Sequence, residues 1–259
     1  MKGFVRRWFD HSAPESDPPE AALEPGRRLY CIGDVHGRVD LLRELHGMIA
    51  GDADGFEGQR TIVYLGDLID RGMQSRDVID LLLDDPLPGF EAIHLKGNHE
   101  QTLLDFIEYP DQAAGWLAWG GRETLVSYGV PLPPGLQRID PEAVREDLVA
   151  RLPERHLEFY RGMDVYHESG DYLFVHAGIR PGVPLQEQSD SDLMWIRQEF
   201  LESEEDHGCV VVHGHSITEQ VDMRSNRIGI DTGAYHSGVL TCLVLEDRER
   251  RLLQTRGGV

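Results

Sequence analysis

Residues 29–37 read LYCIGDVHG, a short apolar run that leads into a polar turn bounded by glycines. The same order recurs at 61–72, TIVYLGDLIDRG, and at 91–100, EAIHLKGNHE. Apolar residues then return at helical spacing, as they do in 39–49 after the first turn. Three consecutive strand–turn–helix units predict a parallel sheet with covering helices, and therefore an α/β fold.

The regions outside these units have a different pattern. Residues 109–170 are predicted to form a mostly helical insertion that walls one side of a site. The first 26 residues, basic and aromatic and then rich in Pro, Glu, Ala and Ser, are expected to be a flexible segment. A membrane- or partner-contacting segment is the alternative. Residues 27–259 are expected to form a single domain. Further strands are predicted at 172–175, 210–212, 227–230 and 239–245, and we expect the last of them to belong to a second sheet.

The composition excludes several classes of protein. The chain has 259 residues, with 25 Lys and Arg against 46 Asp and Glu, a formal charge of −21. This charge argues against a nucleic-acid partner, since such proteins attract phosphates with clustered basic residues. Three cysteines are too few for a disulfide framework, and no apolar run approaches the roughly 18 residues of a membrane span. We expect a cytoplasmic protein with no integral membrane association.

Polar side chains cluster just past the ends of five predicted strands, the edge at which α/β sheets bind ligands. They are Asp34, His36, Asp67, Asp70, Asn98, His99, His176, His213 and His215. One such residue alone could be a helix cap or a buried histidine. Five clusters at equivalent strand ends predict a metal site. Oxygen and imidazole ligands without a thiolate suit manganese, iron or zinc.

The predicted ligand set is too large for one four-coordinate ion. It comprises Asp34, His36, Asp67, Asn98, His176 and His215. Such a set fits two divalent ions about 3.5–4 Å apart that share one carboxylate. Two cations against two ligating carboxylates leave a local positive charge, which attracts a phosphate group despite the acidic chain.

The motifs GDVHG, GDLIDRG and GNHE, in this order, together with His176-Ala177-Gly178 and Gly214-His215, resemble the phosphoprotein phosphatase family of calcineurin-like metallophosphoesterases. They are most similar to its bacterial and phage branch, over about residues 27–245. The resemblance implies a catalytic domain with a central β-sandwich flanked by helices. It also implies a dinuclear metal site commonly supplied with manganese, with iron or zinc as alternatives.

The resemblance also implies a role for each motif residue. Asp34 and His36 resemble ligands of the first metal, Asp67 the bridge, and Asn98, His176 and His215 ligands of the second. His99 resembles a general acid whose tautomer is held by Asp70. An imidazole suits that role, although the pair could instead merely tie two loops together.

Arginine forks are suited to phosphate oxygens, and three arginines are candidates. Arg71 follows Asp70 directly. A second arginine is expected, either Arg197 of the segment Trp195-Ile196-Arg197 or Arg180 after the His-Ala-Gly motif. His213 departs from a position where many relatives carry Arg, and we expect it to support the site and not to bind metal.

These features predict a metal-dependent hydrolase that acts on phosphoprotein side chains or small phosphomonoesters. The nearest alternative is a dinucleoside polyphosphate hydrolase, which shares the metals and most motifs. An inactive binding scaffold is a third possibility, disfavoured because all six ligand candidates and His99 are present. Trp116, Trp119 and Thr124 are expected to pack the insertion, and the turn 231–233 to shape a loop. The sequence does not indicate an oligomeric state.

Overall fold

The computed structural model describes residues 21–132 and 140–256. Within them, the strands are β1 Arg27–Ile32, β2 Gln59–Tyr64, β3 Glu91–His94, β4 Tyr166–Ser169, β5 Tyr172–Val175, β6 Val210–His213, β7 Asp222–Met223, β8 Arg227–Gly229, β9 Thr241–Glu246 and β10 Glu249–Gln254. The helices are α1 Val39–Asp52, α2 Ser75–Asp84, α3 Asn98–Glu108, α4 Gly121–Ser127, α5 Pro141–Arg151, α6 Glu154–Arg161, α7 Asp190–Trp195, α8 Gln198–Leu201 and α9 Ala234–Ser237. Short 3-10 helices lie at Ala114–Ala118 and Leu185–Glu187.

The strands form two five-stranded sheets. The first has the order β10-β9-β1-β2-β3, with β1, β2 and β3 parallel. The second has the order β4-β5-β6-β8-β7, with β5, β6 and β8 parallel. Each sheet therefore carries three parallel strands whose carboxyl ends lie at one edge.

The assignment of the last predicted strands to a second sheet is confirmed for β8 but wrong for β9. Strand β9 returns to the first sheet, where it pairs antiparallel with β1. Residues 242–245 are all buried, because the strand is covered on both faces. Such a continuous apolar run carries no alternation, so its pattern does not reveal to which sheet it belongs.

Alternating side chains of β1 explain how the sheets and helices pack. Leu29 and Cys31 point into a core shared with Phe174 and Val212 of the second sheet. Tyr30 and Ile32 point the other way, into a core shared with helices α1, α2 and α3. A further apolar cluster packs α7 and α8 on the outer face of the second sheet. The expected architecture, a β-sandwich flanked by helices, is confirmed.

The two boundary regions differ in detail from the sequence expectation. Within its described residues, the predicted insertion 109–170 is mostly helical up to Arg161, but its end forms β4 of the second sheet. Residues 1–20 of the segment expected to be flexible lie outside the described residues. Leu23, from the same segment, is buried, and its N–H donates to Asp247 O at 2.8 Å. None of the helices in the described ranges is long and apolar enough to cross a bilayer.

Candidate metal centre

Five parallel strands deliver the predicted site residues to one edge of the sandwich. Loops after β1, β2 and β3 supply residues 34–36, 67–71 and 98–99 from the first sheet. Loops after β5 and β6 supply His176 and His215 from the second. The first predicted ligand and the last are 181 positions apart in the chain, yet His215 N donates to both Asp34 oxygens at 3.2 and 3.1 Å.

The backbone of these loops is strained. Six non-glycine residues with positive φ occur in the described ranges, and five of them belong to these loops. They are His36 (46°), Asp67 (49°), Asp70 (71°), Arg71 (66°) and His215 (62°). Side chains rarely adopt this region, and such residues persist where the surrounding structure holds them for function.

Two glycines allow the loops to approach each other closely. A Cβ atom at Gly214 would collide with Oδ1 of Asp34, and one at Gly97 with Oδ1 of Asp67. Any larger residue would therefore displace the carboxylate. The glycines of the GNHE and His-Gly-His motifs thus have a steric purpose.

Asp67 lies between two histidines that come from different sheets. Its Oδ2 is 3.5 Å from Nε2 of His36, and its Oδ1 is 3.4 Å from Nε2 of His176. All three side chains are almost completely buried. One carboxylate thus faces both halves of the predicted ligand set, the position that a bridging ligand requires.

The tautomers of two of these histidines follow from their other ring nitrogen. His36 Nδ1 lies 2.8 Å from Ile69 O, and His176 Nδ1 lies 2.8 Å from Leu65 O. A carbonyl only accepts, so each Nδ1 carries the proton and each Nε2 presents a lone pair to the cluster. In the described residues, buried Nε2 atoms of His36 and His215 have no hydrogen-bond partner.

Several lone pairs converge around His176. Its Nε2 lies 2.9 Å from Asn98 Oδ1 and 3.2 Å from His215 Nδ1. With the proton of His176 on Nδ1, no hydrogen lies between its Nε2 and the Asn98 oxygen. A cation at this point would satisfy all three atoms. The donor atoms of Asp67, His176 and His215 lie within 4.8 Å of one another, as do those of Asp67, His36 and His99.

The electrostatics of the cluster also favour a cation. Burial lowers the pKa of His36 to about 3 and that of His215 to about 2, so both rings are neutral ligands at pH 7. Burial, together with the charges of Asp231 and Asp67, raises the pKa of Asp34 well above its usual value. Crowded buried carboxylates repel one another, and positive charge among them would relieve the repulsion.

His99 has a different environment from the other histidines. Its Nδ1 lies 2.6 Å from Oδ2 of Asp70, and its Nε2 lies 3.3 Å from the guanidinium of Arg71. Burial opposes its charge, but the carboxylates of Asp67 and Asp70 outweigh this effect and raise the pKa of His99 to about 9. The ring is therefore charged at pH 7.

Asp70 is held by two side chains that were expected only to pack the insertion. Trp116 Nε1 donates to its Oδ2 at 2.6 Å, and Thr124 Oγ1 donates to its Oδ1 at 2.5 Å. Thr124 Oγ1 also lies 2.9 Å from the backbone N–H of Asp70. The helical insertion thus fixes the orientation of the carboxylate that holds His99.

A cavity of about 710 Å³ opens beside the cluster. Its lining includes Arg71, Asn98, His99, Trp119, Trp195, Arg197 and Tyr235. Arg197 NH1 lies 3.3 Å from Ser216 Oγ, and the Arg71 guanidinium lies 4.9 Å from the Tyr235 ring centroid. Of the two candidates for a second phosphate arginine, the structure therefore places Arg197 in the cavity.

Arg180, the other candidate, is not among the residues that line the cavity. Its guanidinium pairs with the carboxylates of Asp192 and Glu199 at 2.8 and 3.1 Å. These acids neutralise the charge that a phosphate would need. The position of Arg180 therefore favours Arg197 for the proposed contact.

Two buried acids near the centre were not singled out for such roles. Glu100 accepts from the backbone N–H groups of Asp67, Leu68 and Gly97 at 2.9, 2.7 and 2.9 Å, and so holds two loops together. Asp231 is 2 % exposed and follows β8, the sixth parallel strand. Its position after a strand, like that of Asp34, was the signal that could have drawn attention to it.

Comparisons with known proteins agree with this geometry. Residues 27–238 match the family model of the calcineurin-like phosphoesterases. The chain is 29% identical over 225 residues to serine/threonine-protein phosphatase 2 of Escherichia coli, covering 83% of this chain and 91% of that one. It is 23% identical over 239 residues to the asymmetrical bis(5'-nucleosyl)-tetraphosphatase PrpE of Anoxybacillus flavithermus, covering 84% and 90%.

A solved structure shares the fold. The cold-active protein-tyrosine phosphatase of a Shewanella species superposes with a TM-score of 0.52 and 18% identity, covering 90% of this chain and 83% of that one. At this identity the likeness concerns the fold alone. The family match, by contrast, spans strands β1 to β8 and every motif that supplies the centre. The chain belongs to the calcineurin-like phosphoesterase family and is a hydrolase of phosphoric esters.

Proposed function

We propose that this protein hydrolyses phosphomonoesters, with phosphorylated protein side chains as its substrates. The proposal assigns two divalent cations, manganese by preference and iron or zinc as alternatives, to the cluster around Asp67. The predicted ligand set would hold them: Asp34, His36, Asp67, Asn98, His176 and His215. The Nε2 lone pairs of His36 and His176, and the approach of Asn98 Oδ1 and His215 Nδ1 to the latter, support this assignment.

The bound cations would supply Lewis-acid polarisation of the phosphoryl oxygens and would lower the pKa of a water nucleophile. The chain's own residues bind and orient the phosphate. Arg71 and Arg197 lie on the wall of the cavity, where their forks can bind the outer phosphoryl oxygens as negative charge shifts during the reaction.

His99 donates a proton to the departing ester oxygen from Nε2, because Nδ1 is engaged with Asp70. Nε2 is the ring atom that approaches the cavity residue Arg71. The proton leaves His99 as the bond between phosphorus and the ester oxygen breaks, and the alcohol departs neutral. Asp70 holds the ring in the orientation that this transfer needs.

The observation that carries the proposal is the 2.6 Å contact between His99 and Asp70. An alkoxide or phenoxide is a poor leaving group and gains much from a proton donor. A polyphosphate leaving group is already a stable anion and gains little. The His99–Asp70 pair, which holds a proton beside Arg71, therefore favours monoesters of alcohols and phenols as substrates.

Hydrolysis of dinucleoside polyphosphates is the second candidate. It shares the same cations and arginines, and PrpE of Anoxybacillus flavithermus matches over 84% of this chain. The two exposed tryptophans of the cavity could also stack on a nucleobase.

Metal analysis of the purified protein tests the cation assignment. We expect about two divalent ions per chain, and loss of phosphate release from nitrophenyl phosphate on chelation. Asp67→Asn should lower the metal content, whereas Asp111→Asn, an exposed acid outside the cluster, should leave it unchanged. Full metal content in the Asp67 variant would contradict the bridge.

Comparison of kcat/KM on phosphopeptides and on diadenosine tetraphosphate tests the substrate class. The proposal expects the phosphopeptides to be the better substrates. It also expects Asp70→Asn to reduce phosphopeptide hydrolysis more than diadenosine tetraphosphate hydrolysis. A strong preference for diadenosine tetraphosphate, unaffected by this substitution, would favour the second candidate.

A further inference from the structure

Two tryptophans form an aromatic rim on the cavity beside the metal centre. The rings of Trp119 and Trp195 have centroids 6.3 Å apart at an interplanar angle of 68°. Trp119 is 57% exposed and Trp195 is 39% exposed. Both line the same cavity as the proposed phosphate arginines and His99.

The exposure of this pair is unusual for tryptophan. Trp116, three residues before Trp119 in the chain, is 1% exposed, as expected of a side chain that gains much free energy from burial. Trp119 and Trp195 forgo that gain inside a concave site, where a flat ligand could cover them. The third aromatic residue of the wall, Tyr235, is already in contact with the Arg71 guanidinium.

The rim lies close to the proposed metal centre. The ring of Trp195 has its centroid 6.4 Å from that of His215, one of the proposed metal ligands. In an aryl phosphate only two bonds separate phosphorus from the aromatic ring. In a nucleotide a ribose stands between the phosphate and the base. The short distance therefore favours a ring attached directly to the ester oxygen.

We propose that Trp119 and Trp195 select aryl phosphomonoesters, of which phosphotyrosine in a peptide is the biological form. This inference rests on the proposed phosphomonoesterase activity and names its substrate class. The rim binds the aryl ring of the leaving group by edge and face contacts while the two arginines hold the phosphate. A serine phosphate has no ring to offer and gains nothing from the rim.

The test compares two peptides of identical sequence that carry phosphotyrosine or phosphoserine at the same position. Trp119→Leu, Trp195→Leu and the double variant keep apolar bulk but remove the aromatic rings. Tyr109→Leu is the matched control, because Tyr109 is 51% exposed and does not line the cavity. Melting temperatures establish that each variant is folded.

The double variant should lose about tenfold in kcat/KM on the phosphotyrosine peptide and less than twofold on the phosphoserine peptide. The comparison between enzymes on one substrate removes the intrinsic difference in leaving-group reactivity. The inhibition constants of phenylphosphonate and ethylphosphonate measure binding alone, because neither compound is hydrolysed. In the double variant only the affinity for phenylphosphonate should fall, also by about tenfold. Tyr109→Leu should change the affinity for neither phosphonate.

The other outcomes distinguish failure of ring selection by the tryptophans from failure of the proposed phosphomonoesterase activity. Equal losses on both peptides, or no loss on either, would overturn selection by the rim while leaving phosphomonoesterase activity intact. A larger loss on diadenosine tetraphosphate than on the phosphotyrosine peptide would assign the rim to a nucleobase and overturn it as well. Failure of the wild-type protein to hydrolyse any monoester would instead refute the proposed function.

Discussion

Nδ1 of His99 lies 2.6 Å from Oδ2 of Asp70, and this buried contact joins a residue after β3 to a residue after β2. The pair differs from His36 and His176, whose unprotonated Nε2 atoms face Asp67 from either side. Within a few ångströms, the fold thus holds neutral imidazoles, which the proposed cations require, and a charged imidazole, which the proposed proton transfer requires.

His99→Asn should lower kcat on alkyl phosphates by about two to four orders of magnitude, because it removes the proposed proton donor. The loss should be much smaller on nitrophenyl phosphate, whose leaving group needs no proton. Steady-state kinetics on both substrates measure the difference.

Metal content of the same variant separates two roles of this residue. His99 also lies within reach of Asp67, with 3.8 Å between Nε2 and Oδ2, and could be a ligand. A proton donor predicts unchanged metal content in His99→Asn. Loss of one ion per chain would make His99 a ligand and remove it from proton transfer.

Trp116→Phe should weaken catalysis through Asp70 without altering the cavity wall. The variant loses the Nε1–H donor to Asp70 but keeps a ring against Phe106, whose centroid lies 5.1 Å away. We expect a loss of about 1.5–3 kcal/mol in the free energy of unfolding, the usual range for a hydrogen bond to a charged group.

The kinetic effect of Trp116→Phe should fall on kcat and not on KM, and should be larger for alkyl phosphates than for nitrophenyl phosphate. Thr124→Val removes the hydroxyl that donates to Asp70, and it should lower kcat in the same substrate-dependent way. Equal losses of kcat on both substrates would show that these residues act through general packing and not through His99.

Gly214→Ala and Gly47→Ala should have opposite effects on stability. A Cβ at Gly214 collides with Asp34 Oδ1, so the variant should be less stable by about 1–3 kcal/mol and should bind less metal. Gly47 lies in α1 with open space around its missing Cβ, and alanine there should add about 0.5–1 kcal/mol. Chemical denaturation and metal analysis measure both. Normal metal content in Gly214→Ala would contradict the steric account.

Stability should decline as the pH falls from about 6.5 towards 4, in part because of His46. Burial lowers the pKa of His46 to about 4, and its Nε2 lies 2.9 Å from the hydroxyl of Tyr64. The unfolded chain binds this proton at its usual pKa of about 6.5, so protonation favours unfolding. His46 therefore contributes roughly 3 kcal/mol to the free energy of unfolding above pH 6.5, and this contribution is lost as the pH falls to about 4.

Denaturation of the His46→Gln variant across this pH interval measures how much of the loss of stability is due to His46. The variant should show a shallower decline than the wild type, because one proton fewer is taken up on unfolding. An identical slope in both proteins would mean that His46 keeps its usual pKa in the folded state.

The sequence predicted the three strand–turn–helix units and the motifs of the centre because their signals are local. GDVHG, GDLIDRG and GNHE each combine a strand end, a sharp turn and a polar residue within a few positions. The loops after β5 and β6 carry the same signal, and the structure brings His176 and His215 to the others. Their roles as ligands remain predictions.

What the sequence could not predict depends on contacts between distant segments. Strand β9 is apolar on both faces, so its return to the first sheet left no pattern to read. Trp116 and Thr124 resemble ordinary packing residues until the fold sets them against Asp70, 46 and 54 positions earlier. Trp119 was expected to pack, and only the structure reveals that it stays exposed on the cavity.

The pairing of β1 with β9 has a consequence for folding during synthesis on the ribosome. β1 emerges first but has an open edge until residues 241–246 follow, on the order of ten seconds or more later at ordinary rates of synthesis. During that interval β1 can pair with β2 along one edge, but its other edge has unpaired backbone groups that can pair with another chain. His215 follows β6, so the proposed ligand set is complete only after both sheets have begun to form.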